Sequence, residues 1–197
     1  MSPISFIEKH RIGCVKMELM DVIKKRRSIR KYKPDPIAEE KIMYVLEAAR
    51  LAPSWGNMQC WRYIVVTDES LKRKVTQHDW AAKAPVIIVG CADPTKSGTK
   101  HGQDYYLLDM GISMEHLILA ATEQGLGTCW IGLYFDEKTV KKALNIPKKF
   151  RVVAMTPLGY PDEESAVKQR KKLEEIVRWN TFSSPRRFFG KISSIFK

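Results

Sequence analysis

The sequence has no two cysteines close enough to work together. Cys14, Cys60, Cys91 and Cys129 offer neither a CxxC pair nor the ligand spacing of a zinc site. They read as small buried hydrophobes in a reducing compartment. Long apolar runs are also missing. No window approaches the ~18 residues of a membrane span, and the opening MSPISFIEKHRIGCVK has no apolar stretch of signal-peptide length. A cytoplasmic location is expected. Histidine is scarce as well: His10, His78, His101 and His116 lie far apart in sequence, and His116 reads as structural. No paired-carboxylate or Ser/His/Asp arrangement can be drawn from the spacing, so neither a protein-borne acid or base nor a metal site is expected.

Acidic charge is the next shortage. Against 34 Lys plus Arg stand 22 Asp plus Glu, a formal charge of +12. That balance favours an anionic partner without choosing among nucleic acid, lipid headgroups and phosphate-bearing cofactors. At 197 residues and 44% hydrophobic content, the chain can fill one α/β domain or half of a dimeric core. Internal repeats and low-complexity tracts are absent, apart from the basic, aromatic ending PRRFFGKISSIFK.

Helix and strand signals alternate from residue 18 onward. A short helix is predicted over 20–27. A second, over 37–51, follows Pro36 with apolar residues at 37, 42, 45, 46 and 49 and stops near Pro53. WRYIVVT (61–67) reads as a strand, followed by a charged helix from Glu69. PVIIVGC (85–91), apolar throughout, reads as a strand of the sheet interior. The segment 104–124 spaces Leu107, Met110, Met114, Leu117, Ile118 and Ala121 by threes and fours and closes at Gly125, so it is expected to be the central core helix. A strand over 128–133, a helix over 136–144, a strand over 151–159, a turn at Gly159-Tyr160-Pro161 and a charged loop over 162–172 complete the reading.

Three stretches carry chemistry. In KKRRSIRKY (24–32), Arg26, Arg27 and Arg30 surround the hydroxyl of Ser28, a donor set suited to phosphate. The cations equally suit a helix C-terminus, at about 0.3 to 1 kcal/mol each. In APSWGNMQCW (52–61), Asn57 and Gln59 both donate and accept and can read the edge of a heterocycle; the same residues also make ordinary turns. GLGTCWIG (125–132) is a glycine-punctuated passage that lets backbone come close to a flat ligand. It lacks the GxGxxG spacing and follows a helix rather than a strand, which disfavours a Rossmann domain.

In this order, R-R-S-I-R-K-Y, A-P-S-x-x-N-x-Q-x-W, G-L-G-T-C-W-I-G and L-G-Y-P followed by L-E-E-I-V resemble the FMN-dependent nitroreductase family, which includes NAD(P)H oxidase and flavin reductase-like members. The resemblance covers roughly residues 18–182 and leaves 1–17 as an N-terminal extension and 183–197 as a basic aromatic tail. It implies an α+β fold, with a mixed, mainly antiparallel sheet flanked by helices, in an intertwined homodimer with shared FMN sites. It further implies that Arg26, Arg27 and Ser28 contact the FMN phosphate and ribityl chain and that Arg30 lies near flavin N1 and O2. Pro53, Ser54, Asn57 and Gln59 would border the isoalloxazine ring, in part that of the other subunit, and backbone at Ile131 and Gly132 would approach N5. Arg170, assisted by Lys172 or Lys168, resembles a second phosphate clamp; Lys171 belongs to the same run. Two positions depart from the family: Cys60 stands where proline is usual, and Trp55 is bulkier than the small residues often found there. Trp55 would either cover part of the flavin and narrow substrate choice or serve as a surface or dimer-contact residue.

The implied activity is that of an oxidoreductase. NADH or NADPH would reduce bound FMN, and a nitroaromatic, quinone or similar small-molecule acceptor would then take the electrons by a ping-pong mechanism. Within the superfamily the rival is a specialised reductive dehalogenase or flavin-consuming enzyme. Outside it, the rival is a basic binding protein for nucleic acid or a membrane surface, supported by Arg186, Arg187, Phe188 and Phe189 of the tail. The preferred reading of that tail is an arm packing on a partner subunit, with no nucleic-acid partner.

Overall fold

The computed structural model describes residues 17–132 and 134–183. The expected N-terminal extension and basic tail fall almost wholly outside the described residues. Contacts within the chain divide it after Ser165 into a large first unit and a short second one.

In the first unit, α1 (Leu19–Lys25) ends because Arg26 turns to extended geometry, with φ −54° and ψ 129°. The basic stretch therefore leaves the helix ready to pair as a strand. α2 (Glu39–Arg50) buries Tyr44, Val45 and Ala49 and stops short of Pro53, which has no N–H to continue a helix. β1 (Trp61–Val66) leads to α3 (Glu69–Val75), whose N-terminus is capped by Asp68 accepting from Leu71 N–H at 2.9 Å. After α4 (Asp79–Ala82) and β2 (Val86–Ala92), a small hairpin of β3 (Thr99–Lys100) and β4 (Gln103–Asp104) precedes the long α5 (Tyr105–Glu123). β5 (Gly127–Thr128), α6 (Glu137–Ala143) and β6 (Arg151–Gly159) follow.

The main sheet has the order β1-β2-β6-β5, and all its ladders are antiparallel. A parallel bridge from Ser28 to Thr128 makes it mixed. Every residue of β2 is buried, and the two-residue strand period explains why its sequence is apolar throughout. Ile87, Val89 and Cys91 face Val75, Ala81 and Val140 on one side. Val86 and Ile88 face Val45, Leu117 and Ala121 on the other. The sheet thus sits between α3, α4 and α6 on one face and α2 and α5 on the other, the α+β arrangement expected.

Two expectations need correction. The strand expected over 128–133 forms a ladder only at Gly127–Thr128, with one further bridge from Ile131 to Met155. The intervening Cys129 N–H donates to the Thr156 hydroxyl at 3.1 Å rather than to a backbone carbonyl, which breaks the ladder. Leu107 does not join the buried stripe of α5: it is 48% exposed, beside Leu108 at 51% and Ile112 at 41%. The buried face instead runs through Tyr106, Met110, Met114, Leu117 and Ile118 and includes the polar Asp109 and Ser113.

The second unit contains α7 (Leu173–Ile176), started by Lys172 N–H donating to the Glu175 carboxylate at 2.8 Å. Residues 162–172 form neither helix nor strand, as expected of that stretch. Among the described residues, no helix is long and apolar enough to cross a membrane.

Candidate active site

Three of the sequence motifs are woven together by backbone. Ile29 N–H donates to the Thr128 carbonyl at 2.8 Å, which zips the basic stretch onto G-L-G-T-C-W-I-G. Gly127 makes that approach possible, since a Cβ there would lie 2.9 Å from the Ile29 side chain. Two residues further on, Lys33 N–H donates to Tyr160 O and Asp162 N–H to Lys31 O, each at 2.9 Å, which ties the stretch to L-G-Y-P. Tyr32 is buried against Gly159, where a Cβ would meet its ring at 2.9 Å. Burial raises the Tyr32 phenol well above its ordinary range, so the hydroxyl stays protonated and donates to Ile29 O.

This weave brings Arg30, Ile131 and Gly132 to one cavity of about 450 Å³. Its walls are aromatic: Trp80, Trp130 and Tyr134, with His78 and Cys129. The Arg30 guanidinium lies 5.7 Å from the Trp80 ring centroid, a cation–π arrangement that holds a charge beside a flat face. His78 stacks at 5.2 Å on Trp80 and meets Tyr134 edge-on at 5.7 Å. Tyr134 has a positive φ of 64°, unusual for a bulky residue and common at functional sites. The Ile131 N–H is committed to the Met155 carbonyl at 2.9 Å. Among the described residues the Gly132 N–H has no such partner, which makes it the donor left for a ligand. The cavity therefore offers a cation at one edge, a backbone N–H and flat walls, chemistry suited to a planar heteroaromatic ring.

Arg27 lines a second cavity, of about 570 Å³, with Lys25, Ile29, Gly127 and Ser165. Its guanidinium donates to Lys24 O and Arg26 O, which folds it back over the end of α1. Arg26 caps that helix and is half-buried, and Ser28 sits opposite Thr128. Glu163 receives the N–H groups of Arg30 and Lys31, the latter at 3.2 Å, and so fixes the backbone between the two cavities. Arg170 and Lys172 belong to the second unit, where both are exposed.

Pro53, Ser54, Asn57 and Gln59 do not line the Arg30 cavity. Their loop is anchored elsewhere, on Asp109 of α5, which is 3% exposed. That carboxylate accepts from Trp55 N–H at 2.8 Å, Ser97 Oγ at 3.0 Å and Cys60 Sγ at 3.6 Å. Burial and the Asp109 charge push the Cys60 thiol up to about 12, so it is inert. Ser54 Oγ accepts from Gln59 N–H at 2.9 Å, and Asn57 and Gln59 hold positive φ of 56° and 48°.

The sequence reading missed His78, Trp80 and Tyr134. His78 and Trp80 lie on a stretch with no glycine or phosphate-binding signature, and only the fold carries them to Arg30. The tryptophan two residues past a histidine and just before the buried strand was the one available signal.

The sequence pattern of the Nitroreductase family matches residues 23–82 and 73–160. A protein of Archaeoglobus fulgidus, named as a candidate NADH dehydrogenase/NAD(P)H nitroreductase, is 38% identical over 154 residues, 75% of this chain and 87% of that protein. Among solved structures, a nitroreductase family protein from Clostridium novyi NT is 37% identical with a TM-score of 0.69, over 86% of this chain and 97% of its own. An FMN-dependent nitroreductase from Clostridium difficile R20291 is 32% identical with a TM-score of 0.74, over 83% of this chain and 99% of its own.

Proposed function

The chain belongs to the Nitroreductase family, and on that footing we propose that it is an NAD(P)H-dependent FMN oxidoreductase that reduces nitroaromatic, quinone or similar electron-poor acceptors by a ping-pong mechanism. The observation that carries the reading is the convergence of Arg30 and Gly132 on one aromatic-walled cavity. These residues fit a flavin: a flat ring needs flat walls, and its reduced form needs a cation and N–H donors at its edges. When bound, FMN supplies a ring that takes up a hydride and releases electrons to the acceptor. The rest falls to the chain. Arg30 stabilises the negative charge that reduction places on the N1–C2=O edge, and so raises the potential. The Gly132 N–H supplies the donor on the N5 side. Arg26, Arg27 and Ser28 would hold the phosphate and ribityl chain. Trp80 and Trp130 exclude water from the ring.

The protein acts as a homodimer with two shared sites. Support comes from the apolar Leu107, Leu108 and Ile112 that α5 leaves exposed, since a patch of that kind marks an interface. Further support is that the loop of Pro53, Ser54, Asn57 and Gln59 does not line the chain's own Arg30 cavity, which leaves it free, on this reading, to border the partner's flavin. The buried free thiols of Cys60 and Cys91 suit the reducing cytoplasm.

Initial rates with varied NADH or NADPH against several fixed acceptor concentrations test the assignment. Parallel double-reciprocal lines are expected. Substrate-dependent turnover without any pyridine nucleotide would instead favour a specialised dehalogenase or flavin-consuming reaction.

A further inference from the structure

A third cavity, of about 250 Å³, shares no lining residue with the cavities of Arg30 and Arg27. Arg62, Lys96 and Lys149 line it, together with Gln59, Asp93 and Phe150. Lys149 lies 3.3 Å from the Asp93 carboxylate and 5.1 Å from the Phe150 ring centroid. Arg62 and Lys96 form no ion pair among the described residues. Three cations against one carboxylate leave an excess of two positive charges around the cavity, with one Arg62 N–H taken by the Trp61 carbonyl at 2.6 Å and its other donors left over, the complement of a phosphate dianion. Asp93 is fixed in place, 4% exposed, accepting from Thr95 Oγ1 at 2.6 Å and Thr95 N–H at 3.1 Å.

An aromatic side chain is tied to the same two stretches of chain, since Trp55 precedes the cavity's Met58 and Gln59 and packs on Gly98, just after its Lys96. Lys96 is followed closely by Gly98, on which the Trp55 indole rests: a Cβ at Gly98 would lie 2.5 Å from the ring. Gly98 thus leaves room for the indole that any side chain would take. The Trp55 backbone N–H donates to the Asp109 carboxylate at 2.8 Å, and the residue remains 46% exposed. A half-exposed indole packed on a glycine offers a stacking surface for a base.

We infer that this pocket binds the 2′-phosphate of NADPH while Trp55 stacks on its adenine, so that the chain uses NADPH in preference to NADH. The inference rests on the proposed function in one respect: Gln59, on the rim of this pocket, belongs to the loop read as facing the partner's flavin. NADH has no 2′-phosphate, so the two donors differ at the position this pocket reads.

The test compares the FMN-loaded wild type with Arg62→Ala and Lys96→Gln, measuring KM for NADPH and for NADH, together with binding of adenosine 2′,5′-bisphosphate by calorimetry. Each substitution is expected to raise the NADPH KM by about tenfold or more, the value of a lost charge-assisted hydrogen bond, and to change the NADH KM by less than about twofold. Bisphosphate binding should weaken in parallel and weaken further with salt. Equal losses for both donors would mean that the pocket reads the pyrophosphate they share, and would overturn the 2′-phosphate assignment. Unchanged constants for both donors would overturn the site altogether while leaving the reductase reading intact. Bisphosphate binding that depends on Arg62, in a protein reduced by neither donor, would keep the site and sink the reductase reading. Trp55→Leu provides a second check: weaker bisphosphate binding with Arg62 intact supports stacking, and unchanged binding contradicts it.

Discussion

The Ile29 N–H donates to the Thr128 carbonyl at 2.8 Å, and the Ile29 side chain occupies the space a Cβ at Gly127 would need. This pairing joins a motif near the start of the chain to one that follows the central helix. It sets Arg30 opposite Ile131 and Gly132, and so creates the cavity on which the proposed chemistry depends.

Gly127→Ala tests that junction. The added methyl would lie 2.9 Å from Ile29 Cβ, and overpacking of this kind costs about 1–3 kcal/mol. Urea denaturation should show the loss, with weaker FMN retention alongside. Combined with Ile29→Ala, which removes Cγ1 and Cγ2 from the clash, the total loss should be smaller than the sum of the two single losses, because the two sites share one contact. Strict additivity would argue against the junction.

Arg30→Ala is expected to lower the flavin reduction potential and weaken FMN retention, whereas Ser28→Ala has a smaller effect on both. On the proposed reading the charge of Arg30 acts on the reduced ring, whereas Ser28 supplies one neutral donor to the phosphate chain. Redox titration against a reference dye reads the first, and ultrafiltration the second. Full occupancy and an unchanged potential in the Arg30 variant would place the cation elsewhere.

How much of this was legible in the sequence depends on whether the signal was local. The apolar run of β2 and the spacing along α5 are local patterns, and both elements formed where they were expected. Arg30, Ile131 and Gly132 were named from the family resemblance that the short motifs carry, and the fold brings them to one cavity. Leu107 was misplaced because α5 is apolar on more than one side, and periodicity alone cannot tell which face meets the sheet. The strand after Thr128 was overextended because its ladder is broken by a side-chain acceptor, Thr156, from a distant strand. His78, Trp80 and the pocket of Arg62, Lys96 and Lys149 come together only through tertiary contacts, and no spacing rule finds them.

Leu108→Glu addresses assembly. A carboxylate in the exposed apolar patch of α5, where Leu108 is 51% exposed, should be tolerated by a monomer and rejected by a buried interface. Light scattering is expected to show a dimer in the wild type and a monomer in the variant, with FMN lost as the shared sites come apart. A variant that stays dimeric with full FMN would move the interface off this helix.

Acid stability should report on Glu137. Burial raises its pKa, but hydrogen bonds from Arg151, Lys141 and the Val152 N–H outweigh it and bring the carboxyl down to about 2 from an ordinary 4.5. With the folded value below the unfolded one, its contribution is fully present above about pH 4.5 and is lost as pH falls toward 2. The stability gap between wild type and Glu137→Gln should therefore be widest near neutrality and close across that window. A gap independent of pH would show that the carboxylate is not held in its charged form by these partners.

The most direct test of the central claim is an absorbance spectrum of the purified protein across the flavin bands, recorded anaerobically before and after adding NADPH or NADH. The account predicts flavin bands that bleach on addition and return when a quinone or nitroaromatic acceptor is supplied. A colourless protein that takes up no added FMN would contradict it, and the cavity of Arg30, Trp80 and Gly132 would then belong to a different ligand.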